Sequence, residues 1–176
     1  MSNTDTTYFV ALGGNMGQVL EHFCAAILAL QAADQAITAL SRLYRSHPQG
    51  GPPQDNYVNA VLALQTKRSP ESLLQLLLDI EQHSGRIRLE HWGPRTLDLD
   101  LLAYGQHVQN SPFLSLPHPR MHQRNFVLFP LCDIAPDWQH PLEKQTARDM
   151  ANAFGWDGIE ICTQQWPREV IASCQT

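Results

Sequence analysis

The stretch that decides the fold consists of YVNAVLALQ at 57–65, SPESLLQLLLDIEQHSG at 69–85 and LDLDLLAY at 97–104. The first and third segments are short, apolar and bounded by polar or turn-forming residues, which predicts two strands. The middle segment opens with a Ser that can cap a helix and a Pro suited to its first position, and it closes with Gly. Its apolar residues recur at helical spacing and form one stripe: Leu73, Leu74, Leu77, Leu78 and Ile80.

The rest of the chain extends this pattern in both directions. An apolar run at 8–12 predicts a strand that enters a glycine turn, and a helix at 17–33 and a strand at 37–45 follow it. The order strand, helix, strand therefore occurs twice, which matches a ferredoxin-like α+β fold: a split β-α-β sheet with the helices packed on one face. In the tail, weaker patterns predict a helix at 146–154 and a strand at 158–162.

Length and composition limit the class of protein. One domain is expected for 176 residues, with a core at about 8–137 and a C-terminal extension at 138–176. The four cysteines form no C-x-x-C pair and lie far apart, which favours a reducing compartment. The polar N-terminus does not resemble a signal peptide, and no apolar run approaches the roughly 20 residues needed to cross a bilayer. We therefore expect a cytoplasmic protein without an obligate protein partner.

The charge pattern argues against large polyanionic partners. With 17 acidic and 12 basic side chains the formal charge is −5, whereas nonspecific binding of nucleic acid or of an anionic membrane requires a basic surplus. Ten of the 12 bases are arginine, and none precedes Arg42. Five arginines fall within one short stretch, where we expect the chemistry to lie: Arg86, Arg88, Arg95, Arg120 and Arg124.

Asp98 and Asp100 are the first candidate functional pair. Residues i and i+2 of a strand leave the same face about 7 Å apart. Two carboxylates so placed suit a hard cation such as Mg²⁺, with phosphate oxygens as further ligands. The alternative is a solvent-facing stripe between buried leucines. Arg95, with Arg86 and Arg88 before it, favours a magnesium triphosphate, because guanidinium groups bind phosphate oxygens in a forked geometry.

A second group of candidates follows the last predicted core strand. His118 and His122 have the i, i+4 spacing of a zinc pair on a helix, but Pro119 argues against a helix through them and no third soft ligand is evident. Surface exposure is the expected state of Arg120 and His122.

Other polar positions carry weaker signals. Backbone amides of the corner at 13–17 are suited to an anion, although the residues match no phosphate-binding motif and a plain tight turn explains them equally well. Glu81, at the end of a helical apolar stripe, is by itself more typical of a solvated or ion-paired residue. Tyr57 and Asn59 share one face of a strand, where packing is the ordinary explanation.

Together, these residues resemble the 6-hydroxymethyl-7,8-dihydropterin pyrophosphokinases of folate biosynthesis. The run HWGPRTLDLDLL at 91–102 resembles that family's signature throughout, and the resemblance extends from about residue 8 to residue 137. Further matching motifs occur in the family's order, at 13–17, 44–50, 57–60, 80–88 and 117–128.

The resemblance implies a diphosphotransferase that moves the terminal pyrophosphoryl group of ATP to the pterin hydroxymethyl oxygen and releases AMP. By motif position it assigns two Mg²⁺ ions to Asp98 and Asp100, and phosphate binding or charge stabilisation to several basic residues. The positions that it assigns to ATP are Glu81, Arg86, Arg88, Trp92, Arg95, Ser115, His118 and Arg124, of which Arg86 and Arg95 are also assigned to catalysis together with the two aspartates.

The same resemblance assigns a pterin site and two covering loops. It places the pterin ring between Tyr57 and Phe126, and implies that loops at 47–55 and 86–94 close over the substrates. One departure is Gly14, which stands where the family usually has Ser. The remaining positions that it assigns to the polar edge of the pterin are Ser46, His47, Gln49 and Asn59.

Two other readings compete with this one. Nucleotidyltransferases also combine a glycine corner with D-x-D, but their carboxylates follow soon after the glycines, whereas Gly14 and Asp98 are 84 positions apart. A ferredoxin-like interaction domain without activity is the second alternative, and it predicts no binding of a nucleotide.

Overall fold

The computed structural model of the chain describes residues 7–84 and 93–174. Its helices and strands are β1 (Tyr8–Gly14), α1 (Val19–Ala32), β2 (Ala36–Leu40), β3 (Tyr44–Ser46), β4 (Tyr57–Gln65), α2 (Pro70–His83), β5 (Asp98–Tyr104), β6 (Gln109–Asn110), β7 (Ser115–Leu116), α3 (Asn125–Ile134), α4 (Ala147–Phe154), β8 (Ile159–Ile161) and α5 (Arg168–Ser173). Most of these elements occur in the order that the sequence predicts.

The main sheet has the strand order β5-β1-β4-β3-β8, and β2 also pairs with β4. All its neighbouring strands are antiparallel. Helix α1 connects β1 to β2 across β4, and α2 connects β4 to β5 across β1, so each crossover skips one strand. This is the split β-α-β arrangement, and the predicted ferredoxin-like α+β fold is confirmed.

Both faces of the sheet are covered. On one face, α1 and α2 pack against strand side chains that include Val10, Leu62 and Leu99. The sequence predicts both crossover helices on this face. The opposite face, which includes Phe9 and Val61, is covered by a second layer, α3 and α4. The sequence predicts helices that begin at about 125 and 146, but it did not indicate that they pack on this face. Because side chains alternate along a strand, Asp98 and Asp100, on either side of Leu99, face this second layer.

The predicted strand at 37–45 is two strands, β2 and β3, and Ser41 lies in the interruption. The Ser41 hydroxyl accepts a hydrogen bond from the backbone N–H of Val61 (2.9 Å), and the Ser41 carbonyl accepts one from the Trp166 indole (2.7 Å). A side chain therefore occupies a donor on β4 that a continuous ladder would use. The resulting break lets β3 diverge toward the loop that follows it.

The tail packs closely on the rest of the chain. Strand β8 pairs with the edge of β3, with Ser46 opposite Ile159. Trp166 and Val170, beside and within α5, join the core under α1 and α2. Helix α5 and the small β6-β7 hairpin were not predicted, because both are too short to show a period in the sequence. Within 7–84 and 93–174, no helix is long and apolar enough to span a membrane.

Gly14, the last residue of β1, permits a close approach between two backbone segments. A Cβ atom built at this position would lie 2.7 Å from the carbonyl oxygen of Thr96 and 3.2 Å from Val19 Cγ1. The segment that precedes β5 thus passes directly against the corner. The departure from the family's usual Ser is consistent with this tight packing.

Replacing Gly14 with Ala is therefore expected to lower the free energy of unfolding by about 1–3 kcal/mol, since a backbone carbonyl has to move to admit the methyl group. Urea denaturation measures the change. Gly13→Ala is the matched control, because a Cβ at Gly13 meets only Asn59 Oδ1 at 3.7 Å, an ordinary contact. Equal stability of the Gly14→Ala variant and the original chain would contradict the close approach.

Candidate active site

A cavity of about 280 Å³ opens beside the ends of β1, β4 and β5. The loop after β3 and the segment from His118 into α3 form the rest of its wall. Eleven residues assigned by the family resemblance line it: Ser46, His47, Gln49, Tyr57, Asn59, Arg95, Asp98, Asp100, His118, Arg124 and Phe126. Residues far apart in sequence thus converge on one concave surface.

Two carboxylates and two guanidinium groups form the charged part of the cavity. Asp98 and Asp100 leave the same face of β5, as their spacing predicts. Arg95 Nη1 lies 2.6 Å from Asp98 Oδ2, and Arg124 Nη1 lies 3.4 Å from Asp100 Oδ2. Each carboxylate therefore has an arginine partner, and both pairs remain in contact with the cavity.

Burial and like charge perturb this group. Burial raises the pKa of Asp100, and the charge of Asp98 raises it further, while His118, Arg124 and Arg95 act in the opposite direction. Burial is also the largest effect on the pKa of Arg124 and on that of His118, and it lowers both. Ionisation of Asp100 therefore carries a cost in desolvation and in repulsion from Asp98. An added cation between the carboxylates would relieve that cost.

The donors present are suited to a cation that takes most of its ligands from water or substrate. Among the described residues, no cluster of three or more His, Cys, Asp or Glu side chains could hold a metal ion. Asp98 and Asp100 supply two carboxylates only. Mg²⁺ is commonly bound by one or two carboxylates together with substrate phosphates, so this donor set fits Mg²⁺ and not a closed zinc site.

His118 and His122 are not both part of this cavity. His118 lines it, whereas the ring of His122 lies 5.7 Å from that of His140, outside the lining. His122 is less exposed than expected, with 24% of its side chain accessible. Packing against His140 accounts for this burial. Arg120 is exposed as expected, but it also lines the cavity, a position that the sequence reading missed.

An aromatic and amide wall lines the same cavity. The hydroxyl of Tyr57 lies 3.1 Å from Gln54 Oε1 and 3.3 Å from the carbonyl oxygen of Gly93. Burial raises the pKa of Tyr57, so the phenol stays protonated and donates. Asn59 is buried and its Nδ2 donates to Ser46 Oγ at 2.9 Å. These bonds fix two polar groups beside apolar surface, an arrangement suited to a flat heterocycle.

Phe126 lies at the start of α3 and connects the apolar wall to the charged part of the cavity. The guanidinium carbon of Arg124 lies 5.7 Å from the centre of its ring. The Phe126 ring and the Arg124 guanidinium, a group suited to phosphate, are thus neighbours in space as well as in sequence.

Asn15 joins three segments of the cavity wall. Its Oδ1 accepts from the backbone N–H of Arg95 (2.8 Å), and its Nδ2 donates to Gln54 Oε1 and to the carbonyl of Asp55 (both 2.9 Å). The backbone N–H groups of Asn15 and Met16 both donate to the Arg95 carbonyl (2.9 and 3.2 Å). The backbone amides of Asn15 and Met16 are therefore used within the protein and are not held ready for an anion. The only sequence signal was an Asn directly after a glycine corner.

Two assigned residues lie apart from the cavity lining. Glu81 is buried, 2% exposed, and its Oε1 accepts from the backbone N–H of Leu99 at 2.6 Å. It ties the end of α2 to β5, and of the two states expected for Glu81, solvated or ion-paired, burial contradicts the solvated one. The Ser115 hydroxyl donates to Asn110 Oδ1 at 2.9 Å in the β6-β7 hairpin. Three further assigned residues lie outside the described part of the chain: Arg86, Arg88 and Trp92.

Comparison with known proteins decides the family. Residues 9–136 match the family model described as 7,8-dihydro-6-hydroxymethylpterin-pyrophosphokinase. The chain belongs to this pyrophosphokinase family. It is 47% identical over 160 residues to the 2-amino-4-hydroxy-6-hydroxymethyldihydropteridine pyrophosphokinase of Synechocystis sp., an alignment that covers 90% of this chain and 78% of the relative. The pyrophosphokinase of Pseudomonas aeruginosa is 41% identical over 153 residues, which cover 86% of this chain and 94% of that protein.

Solved structures agree on the fold. A crystal structure of Plasmodium falciparum HPPK-DHPS with pteroate, a triple mutant, has a TM-score of 0.69 and 14% sequence identity over 88% of this chain. The wild-type protein from the same organism, with SDX-DHP, has a TM-score of 0.66 and 15% identity over 88% of this chain. The chain spans less than half of each of those longer chains, 46% and 47%. Family membership confirms the expected class, a diphosphokinase of folate biosynthesis, and displaces both competing readings.

Proposed function

We propose that the chain transfers the terminal pyrophosphoryl group of ATP to the hydroxymethyl oxygen of 6-hydroxymethyl-7,8-dihydropterin, with two Mg²⁺ ions held by Asp98 and Asp100. The observation that carries this proposal is the ion-paired arrangement of these carboxylates with Arg95 and Arg124 on the wall of a cavity that also has aromatic and amide surface. One cavity thus has groups suited to magnesium phosphates and groups suited to a flat heterocycle.

A charge count supports the nucleotide part of the proposal. ATP brings about −4, two Mg²⁺ ions +4 and the two aspartates −2, which leaves about −2 for the protein to neutralise. Arg95 and Arg124 supply +2 at distances of 2.6 and 3.4 Å from the carboxylates. Unit charges 4 Å apart interact by about 4 kcal/mol at an effective dielectric near 20, so this balance matters for affinity.

The proposed reaction is an in-line displacement at the β-phosphorus of ATP. The pterin hydroxymethyl oxygen forms the new bond to phosphorus, the bond from that phosphorus to the α,β-bridging oxygen breaks, and AMP leaves with the bonding electrons while the hydroxyl proton is released. Bound Mg²⁺ supplies charge neutralisation on the phosphate oxygens. Arg95 and Arg124 bind and orient the polyphosphate, since positioning and electrostatic stabilisation are the main requirements of this chemistry.

His118 contributes a hydrogen-bond donor in this proposal. Its Nδ1 accepts from the backbone N–H of Arg120 at 3.2 Å, which leaves the proton of a neutral ring on Nε2. An Nε2–H group on the cavity wall is suited to a phosphate oxygen. The further assignments of Glu81, Ser115, Arg86, Arg88 and Trp92 to ATP stay predictions of the family resemblance.

The pterin ring is proposed to lie between Tyr57 and Phe126, with Asn59 and Ser46 at its polar edge. Because Asn59 Nδ2 already donates to Ser46 Oγ, the side-chain carbonyl of Asn59 is the group that accepts from pterin N–H groups. The loop at 47–55, which includes His47 and Gln49, closes over the ring and excludes water from the reacting anhydride.

The nucleotide product tests the proposed function. The protein is incubated with Mg²⁺, ATP and the hydroxymethyl dihydropterin, and the nucleotides are separated by anion-exchange chromatography. We expect one AMP for each pterin diphosphate formed, and no AMP when the pterin is omitted. Formation of ADP, or no turnover with the pterin present, would overturn the proposal.

A further inference from the structure

Residues 156–159 of the tail contact residues that line the cavity, and they lie beyond the 9–136 segment matched by the family model. The carbonyl oxygen of Gly158 accepts a hydrogen bond from the backbone N–H of His47 at 3.1 Å. The next residue, Ile159, is opposite Ser46 in the β3-β8 ladder. The tail therefore fixes the backbone where β3 enters the loop that lines the cavity.

The same residues pack behind Phe126. Tyr44, Phe129 and Ile159 form a small buried cluster, and the partly buried Phe126 packs against it. The Trp156 ring lies 4.3 Å from the Phe129 ring. It also lies 6.4 Å from the Tyr44 ring, and the planes of Trp156 and Tyr44 are 21° apart. Trp156 is 54% exposed, so it covers the outer side of this cluster.

A further hydrogen bond joins the tail to the start of α3. Asn125 Nδ2 donates to the carbonyl oxygen of Asp157 at 3.2 Å. The turn that makes these contacts depends on two glycines with positive φ, Gly155 at 65° and Gly158 at 70°, conformations that side chains disfavour. The backbone is thus shaped to contact both the β3 loop and the residue next to Phe126.

We propose that residues 156–159, the tail strap, position the pterin-binding wall. The strap holds Ser46 and His47 on one side and the support of Phe126 on the other, so the two parts keep their spacing before the substrate arrives. Preorganisation of this kind raises affinity because less ordering remains to be done on binding. This inference rests on the proposed pterin site, and it assigns a role in substrate affinity to a segment outside the matched family region.

The test compares Trp156→Ala with Trp156→Phe. The dissociation constant of the hydroxymethyl dihydropterin is measured by calorimetry on the protein loaded with Mg²⁺ and a non-hydrolysable ATP analogue. For the Ala variant we expect about tenfold weaker pterin binding and a matching rise in the pterin KM, since small displacements of a binding wall have effects of this size or larger. The affinity for the ATP analogue is expected to stay within about twofold, and Trp156→Phe should restore pterin binding.

Two further variants make the outcome decisive. Phe113→Ala is the control, because Phe113 is an exposed aromatic (86%) beyond the cavity lining. Asn125→Ala removes the hydrogen bond to the Asp157 carbonyl, and it tests the role of the tail strap if Trp156→Ala does not fold. The proposed role of the tail strap would be overturned by unchanged pterin affinity in Trp156→Ala, or in Asn125→Ala if Trp156→Ala does not fold. Equal losses of affinity for pterin and nucleotide would also overturn it. Failure of the original protein to bind pterin would instead overturn the proposed function.

Discussion

Replacing Asp98 or Asp100 with Asn is expected to lower kcat/KM by about three orders of magnitude while the chain still folds. Each carboxylate faces the cavity, and neither is part of the apolar core. Asn keeps the shape of the side chain but loses the charge that is proposed to hold Mg²⁺. In Asp100→Asn the lost charge is one that burial and Asp98 already disfavour, so the substrate-free protein should be no less stable than the original chain.

Steady-state kinetics at several Mg²⁺ concentrations and thermal unfolding measure the two parts of this prediction. Asp137→Asn is the matched control, because Asp137 is an exposed carboxylate in an ion pair with Arg148, on the surface. It should leave turnover unchanged. Full activity in Asp98→Asn or Asp100→Asn would contradict the metal role. Unfolded variants would show instead that these carboxylates are structural.

Arg95→Lys is expected to lower kcat/KM by about 100-fold, although the charge is retained. Arg95 Nη1 lies 2.6 Å from Asp98 Oδ2, which leaves other guanidinium N–H groups for a phosphate. A lysine ammonium is a point charge and does not reproduce this fork. The backbone of Arg95 is held by Asn15 through its N–H and its carbonyl, so the substitution changes the side chain without releasing the segment.

Kinetics with ATP as the varied substrate test this prediction. Arg148→Lys provides the control, because it makes the same change in a surface ion pair with Asp137 and should have little effect. Activity within about threefold of the original protein in Arg95→Lys would show that charge alone is enough at this position.

Much of the fold could be predicted from local patterns. Strand β4 has the predicted bounds, Tyr57–Gln65, because it is buried over most of its length and reads as a continuous apolar run. Helix α2 begins as predicted, with Ser69 Oγ accepting from the backbone N–H of Ser72 at 3.2 Å and Pro70 at the first position. The break between β2 and β3 could not be predicted, since it depends on a contact between Ser41 and Val61, 20 residues away.

The candidate site was predictable only in part. The period of two along β5 placed Asp98 and Asp100 on one face, and the family motifs named most of the lining. The positions of Gln54 and Arg120 in the lining were missed. The bonds of Asn15 were missed as well, because nothing local shows that a corner asparagine bonds residues 39 and 80 positions away.

The sequence by itself determined the order of the main helices and strands, the face shared by the two aspartates and the family, because these depend on neighbouring residues and on motifs. The tertiary structure decided which distant segments meet: Arg124 with Asp100, Asn15 with Arg95, and the tail with Ser46 and His47. The physical reason is that these contacts are set by burial of both sheet faces and by pairing at the β3 edge, which depend on the whole chain. The cavity, and with it the proposed chemistry, exists only where those contacts coincide.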